Sequence, residues 1–383
     1  LVTRPSRSGV CWLAVLLLAV LSTGTAQAAS KGELIARLLE TSGRSEIASG
    51  LKASLESRRS GPAAGAVNPS QSREAAGAAG VWTPFGGLNN GCNGPILAVA
   101  TLPNGNLVVG GIFTSCMDTL ATNVARWDGS AWHSLGSGVG GPEGAVFALA
   151  VRGNEVFAGG LFGIAGGAPA SSVARWDGSS WTSLGAGLEN GIGGLVLSLA
   201  TIGGELYVGG YIDRAGSQLV ANIARWNGGS WQGVGTGIGE VGDAVFALTA
   251  IGSDLYVAGY FDRAGDAPAN SVARWNGSAW SSLGEGATNA MPGAYVLALA
   301  VSGTDLYAAG DFFAAGGIAA DNVARWNGSS WSSLGSGAAN GTDGEVDALR
   351  AWNGSIYVGG IFTQAGGAPA NRIARWNGSA WSA

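Results

Sequence analysis

From Val81 onward the hydrophobic positions come in short bursts set apart by turn residues, and the bursts recur. One copy shows the pattern. "AVFALAV" (145–151) is an unbroken apolar run, and "EVFAGGLF" (155–162) follows a Gly-Asn turn. After a Gly/Ala/Pro loop come "SVARWDG" (172–178) and "SWTSLG" (180–185). Each burst is rich in β-branched and aromatic residues and too short for a helix, so each predicts a strand. The arginine of the [VI]-A-R-W tetrapeptide falls at Arg126, Arg175, Arg225, Arg274, Arg325 and Arg375, with spacings of 49, 50, 49, 51 and 50. Four strands in about fifty residues is the size of one β-propeller blade. The expected fold is therefore all-β, a propeller of six visible four-stranded blades with six or seven in the closed ring. A β-solenoid of the same period is the alternative.

The apolar run suits the innermost strand, which neighbouring blades cover on both faces. Its alanines Ala148, Ala298 and Ala348 suit a place where strands converge. Asn327-Gly328 predicts a tight hairpin between the third and fourth strands, because both residues tolerate positive φ. If the register sets Trp326 opposite Trp331, both indoles press into one gap between blades. Arg325 then faces the opposite gap, where carbonyl oxygens and an aromatic face of the adjacent blade would receive it. On this reading the six arginines, with Trp127, Trp176, Trp226, Trp275, Trp326 and Trp376, join blade to blade. A residue present in every unit of a stacked repeat is expected to be structural; six identical ligand clamps are the alternative.

A double glycine follows the apolar second strand at Gly110-Gly111, Gly159-Gly160, Gly209-Gly210 and Gly359-Gly360. With the aromatic and the second tryptophan after it, this arrangement resembles the kelch repeat across residues 81–383. Ala258-Gly259 and Ala309-Gly310 depart from the signature. The resemblance implies a propeller that binds partners, in a family with one branch of copper oxidases acting on sugar alcohols. The single histidine, His133, cannot supply a multi-histidine copper site, so that activity is not carried over.

The amino-terminal residues read differently. Arg4 and Arg7 precede the apolar run Val10 to Leu21, and Ala26-Gln27-Ala28 offers a small-residue cleavage site, so 1–28 is expected to be a signal peptide. The run is about half the length that spans a bilayer. Residues 29–60 carry Leu34, Ile35, Leu38, Leu39, Ile47, Leu51 and Leu55 at helix-like spacing, and 61–80 is a flexible Ala/Gly/Ser/Pro linker. The mature protein is expected outside the cytoplasm, extracellular or periplasmic, without a transmembrane segment. Val81 to Gly86 looks like a lone fourth strand. The last copy stops at Ala383 within its own fourth strand and Leu1 is not Met, so a further blade and a sorting segment are expected beyond it.

Charge narrows the partners. From Val81 onward there are 11 arginines, no lysine and 20 acids. Nucleic-acid binding by phosphate neutralisation is excluded on that balance. The loops from strand two to three and from blade to blade, expected on one side of the ring, hold Glu143, Glu189, Glu240, Asp243, Glu285, Asp343 and Glu345. Asp213, Asp262, Asp266 and Asp311 join them. Such a rim suits calcium or a basic partner, or simply keeps a low-charge protein soluble. No other cofactor and no other metal site is expected.

Catalytic inventory is thin. One histidine without a G-x-S-x-G elbow gives no Ser-His-Asp triad. Gly136 to Gly141 and Gly237 to Gly242 match G-x-G-x-x-G, but neither opens a helix after a strand. Asp128-Gly129-Ser130-Ala131-Trp132 is similar to the sialidase Asp-box and lacks its spacer. Cys92 and Cys116 flank the first hairpin, and in an oxidising compartment that placement predicts a disulfide. The expected function is a secreted, monomeric, non-enzymatic scaffold that binds a protein or glycan at the cell surface through its blade loops. The alternatives are a polysaccharide-active hydrolase or lyase using paired rim carboxylates, and a purely structural envelope protein.

Overall fold

The computed structural model of the chain describes residues 91–140, 144–185, 191–240, 242–284 and 294–383. The expected signal peptide (1–28), helical segment (29–60), linker (61–80) and lone strand at 81–86 lie outside the described residues, as do Glu143, Glu189 and Glu285.

Blade two consists of Ala145–Arg152, Glu155–Leu161, Val173–Trp176 and Trp181–Ser183, paired antiparallel in chain order. The same sheet recurs in the other five blades, whose inner strands are Ile96–Thr101, Ile192–Ile202, Ala244–Ile251, Tyr295–Ser302 and Val346–Trp352. The one helical element among the described residues is the short 3-10 turn Gly337–Ala339. Consecutive inner strands pack side by side from blade one to blade six. This is radial stacking of separate four-stranded sheets, which rules out the solenoid.

The reason is visible in the apolar positions. Every large core cluster but one spans a blade boundary, as where Phe157 and Val173 of blade two meet Val196, Leu199 and Trp231 of blade three. A sheet that is apolar on both faces has no other way to remove them from water. Close approach fixes the second-strand glycine: a Cβ on Gly110 or Gly159 would collide with Val146 or Val196 of the following blade. Blades four and five keep a small residue there, with Ala258 packed by Val296 and Ala309 by Val346.

Each inner strand also carries a bulge. The register shifts between Val146 and Ala148, Val196 and Ser198, Val245 and Ala247, and Val296 and Ala298 turn Phe147, Leu197, Phe246 and Leu297 out of the pleat. These four join Leu195, Tyr211 and Tyr295 in one cluster drawn from four blades. Large side chains thus fill the place where the strands converge. The small residue expected there, Ala148, packs instead against blade three.

Trp326 does pair with Trp331, but the connection is a four-residue loop and not a two-residue turn. Only Gly328 takes positive φ, at 100°. Asn327 works through its side chain, whose Oδ1 accepts the backbone N–H groups of Ser329 and Ser330, both at 2.9 Å. That Asx geometry explains why Asp serves equally at Asp128 and Asp177.

Candidate partner-binding rim

The loop from strand two to strand three folds into a small hairpin of its own. In blade two it pairs Ile164–Ala165 with Ala168–Pro169, and in blade four Arg263–Ala264 with Ala267–Pro268. The incoming connection from the previous blade bridges to it, at Val139 with Ala165, Ile238 with Ala264 and Thr342 with Ala365. Blade one makes this bridge between Cys92 and Cys116, and there the two residues form a disulfide. The cystine therefore occupies the bridge position that Val139 and Ala165, Ile238 and Ala264, and Thr342 and Ala365 hold in blades two, four and six.

Behind each hairpin, the residue entering strand three is held near φ +60°. Asparagine tolerates that conformation better than most residues and here it also bonds across blades. Asn322 accepts from Phe312 N–H at 3.3 Å and donates to the Thr342 carbonyl at 2.9 Å. Asn123 does the same with Phe113 and Val139. Ser172 and Ser271 donate to the carbonyls of Gly194 and Ala294. Nothing in hydrophobic periodicity marks these residues. Their signal is a recurring Asn or Ser just before [VI]-A-R-W.

The expected acidic rim is sorted by the structure into different roles. Asp213, Glu240, Asp262, Asp266 and Asp343 are exposed, whereas Asp311 and Glu345 are buried. Asp343 is a staple: its carboxylate accepts the N–H groups of Thr363 and Gln364 at 2.8 and 2.7 Å, and the Thr363 hydroxyl at 2.6 Å. Asn93 binds Thr114 and Ser115 in the same way in blade one. Asp243 is half-buried and accepts from Glu240 N–H at 2.9 Å. Burial pushes its carboxyl above the usual range, and the charges of Asp262 and Glu240 add to the rise. Among the described rim acids, Asp262 and Glu240 are thus near enough to Asp243 for their charges to act on it. Among the described residues no three His, Cys, Asp or Glu side chains converge as a metal site. Near the axis, burial raises the Tyr295 hydroxyl, with Tyr260 stacked on it at 4.7 Å.

The repeated arginines have partners different from those expected. Arg175, Arg225, Arg274 and Arg325 pair with Glu155, Glu205, Asp254 and Asp305, at 3.2, 3.1, 2.6 and 2.8 Å. Each carboxylate opens the second strand of the same blade, so the pair lies within one sheet. Arg126 and Arg375 have Asn106 and Ser355 at that position. The sequence carried the signal as an acid two residues before Phe157, Tyr207, Tyr256 or Tyr307. Trp127, Trp176, Trp226, Trp275, Trp326 and Trp376 each lie against the fourth-strand tryptophan of their own blade, with ring centroids 5.2 to 5.6 Å apart. The indoles face the preceding blade, as Trp181 and Trp176 do against Val108 and Val124.

A family model described as a domain of unknown function (DUF5122) beta-propeller matches residues 353–378. The chain is a six-bladed β-propeller. No curated protein is detectably similar to it. Among solved structures, "YCF48 bound to D1 peptide" is similar at 13% identity over 60% of this chain and 62% of that chain, with a TM-score of 0.35. The propeller thus spans less than two thirds of that structure. The WD40 β-propeller domain of Doa1 is similar at 13% identity over 74% of this chain and 93% of that chain, TM-score 0.36. The extracellular domain of the putative hybrid two component system BT3049 from B. thetaiotaomicron is similar at 10% identity, covering 78% and 48%, TM-score 0.21. Likeness this distant carries no inference about activity. Among the described residues no helix is long and apolar enough to cross a membrane.

Proposed function

We propose that this propeller is a secreted, non-enzymatic scaffold of kelch-like type that binds a protein or glycan partner at the cell surface through its rim loops. One observation carries the reading. The small rim hairpins share a single frame, yet the exposed position at their base is occupied by Leu120, Pro169, Leu219, Pro268, Ala319 and Pro369 in turn. Leu120 and Leu219 are 82% and 79% exposed. Large apolar side chains held out on rigid hairpins suit contact with a partner more than contact with water. The disulfide and the signal-like pattern at 1–28 support export.

A polysaccharide-active enzyme is the second reading, favoured by the charges of Glu240 and Asp262 near Asp243 and by the raised carboxyl of Asp243. A carboxyl shifted upward beside other acids is the direction that general-acid chemistry on a glycoside uses. A glycan array and a reducing-sugar release assay on the same purified protein separate the two. Binding that is lost in Leu120→Asp or Leu219→Asp, with an unchanged melting temperature, is the expected result. Sugar release abolished by Asp243→Asn ends the binding-only reading.

A further inference from the structure

The five consecutive blade contacts use one set of positions. From the following blade, a first-strand valine (Val146, Val196, Val245, Val296 or Val346) is fully buried on the small second-strand residue of the blade before it. From the preceding blade, the first residue of strand three (Val124, Val173, Ile223, Val272 or Val323) is also fully buried.

The two outward faces of the stack carry these same positions uncovered. On blade one, Ile96 and Val99 stand in the register places of Val146 and Leu149, and they are 42% and 61% exposed. On blade six, Ile373 stands in the place of Val173 and is 36% exposed. Ala348 beside it is exposed, whereas Ala148 is buried. Among the described residues no side chain from another blade lies against Gly359, the equivalent of Gly110 and Gly159. The inner strands of blades six and one also lack, among the described residues, the packing that joins every consecutive pair.

We propose that the opening between blades six and one is the seat of a seventh unit of the same repeat, carried on the same polypeptide as the other six. The chemistry of the occupant is set by what each face lacks. Its first strand brings a β-branched residue onto Gly359, and its second strand brings glycine or alanine under Ile96. Blade six departs from the pattern at Arg350, which replaces the Ala150, Ala200 and Ala300 of other blades and is exposed. The seventh unit therefore offers a carboxylate or carbonyl oxygen at that height. A single unit cannot bury both of its apolar faces alone, so it needs neighbours in order to fold. Linkage within one chain places it beside the opening at high effective concentration.

The test uses Val99→Cys as a reporter, labelled with a maleimide. It is placed in the 383-residue chain and in a chain extended after Ala383 by a second copy of residues 334–383. Labelling in the extended chain is expected to be on the order of tenfold slower, and changing the copied Val346 to Asp restores the fast rate. Equal rates in the two chains overturn the proposal. So does labelling of the 383-residue chain that slows with protein concentration, which makes a second copy the occupant. An intramolecular disulfide in the Val99→Cys, Gly359→Cys double variant of the 383-residue chain also overturns it, because six blades then seal directly.

Discussion

Trp231 of blade three donates its indole N–H to the backbone carbonyl of Leu184 in blade two, at 2.7 Å. The bond repeats from Trp181 to Leu135, Trp280 to Val234, Trp331 to Leu283 and Trp381 to Leu334. The carbonyls of Leu135, Val234 and Leu334 also accept the backbone N–H groups of Gly138, Gly237 and Gly341, so the indole adds a second bond there. Trp231→Phe keeps most of the apolar area and removes the indole bond, so it is expected to cost about 0.5–1.5 kcal/mol. Trp231→Ala adds a cavity and is expected to cost about 3–5 kcal/mol. Urea denaturation followed by far-ultraviolet circular dichroism measures both.

Buried and exposed polar contacts should separate cleanly. Removing Asn322 strands the Phe312 N–H and the Thr342 carbonyl and puts another residue at φ 63°. Asn322→Ala is therefore expected to lower stability by about 1–3 kcal/mol. Asp305→Ala breaks the pair with Arg325, which is partly exposed, and is expected to cost under about 1 kcal/mol. Thermal melts of the two single variants give the order directly, and a larger loss for Asp305→Ala refutes it.

The disulfide joins residues separated by 24 positions. Replacing Cys92 and Cys116 together by alanine is expected to cost about 3 kcal/mol through the freed unfolded chain. Urea midpoints of the wild type with and without a reductant should bracket the same difference, and the double variant should ignore the reductant.

Two carboxyls make opposite predictions with pH. Backbone N–H groups of Ser180 and Ser179, with the Ser179 hydroxyl, hold the Asp177 carboxyl below the usual range. Its contribution is present above the unfolded value, about 3.9, and is lost as pH falls toward the lower folded value. Asp177→Asn, the residue type at Asn227 and Asn327, should flatten the acid limb of stability below about pH 4 and leave pH 7 unchanged. Asp243 is raised by burial, so its protonated form is the one the fold prefers, and that preference is lost as pH rises through its folded value. Asp243→Asn should raise the melting temperature at pH 7, with the gain vanishing below about pH 4.

The repeat period, the number of strands per unit and the pairing of Trp326 with Trp331 were legible because a sheet buried on both faces writes apolar runs into the sequence. The rim hairpins were not legible. Their two-residue strands, such as Ala168–Pro169, are too short to show a period, and they read as a loop. The latches at Asn123 and Asn322 escaped because a polar residue between apolar runs looks like an exposed turn. The Arg325 and Asp305 pair escaped because its members are 20 positions apart and meet only once strand register is known. Acid content suggested a uniform rim, yet Asp343 ties its loop to the neighbouring one at Thr363 and Gln364 and Asp311 is buried, a distinction that depends on backbone geometry.

Blade one begins with sulfur where its counterparts begin with Val139, Ile238 or Thr342. The surrounding thiol balance therefore sets how firmly the leading module is clamped, while the rest of the stack is indifferent to it. In thiol-rich surroundings unravelling should start at that end and travel outward one module at a time, each departure wetting the flank of the next.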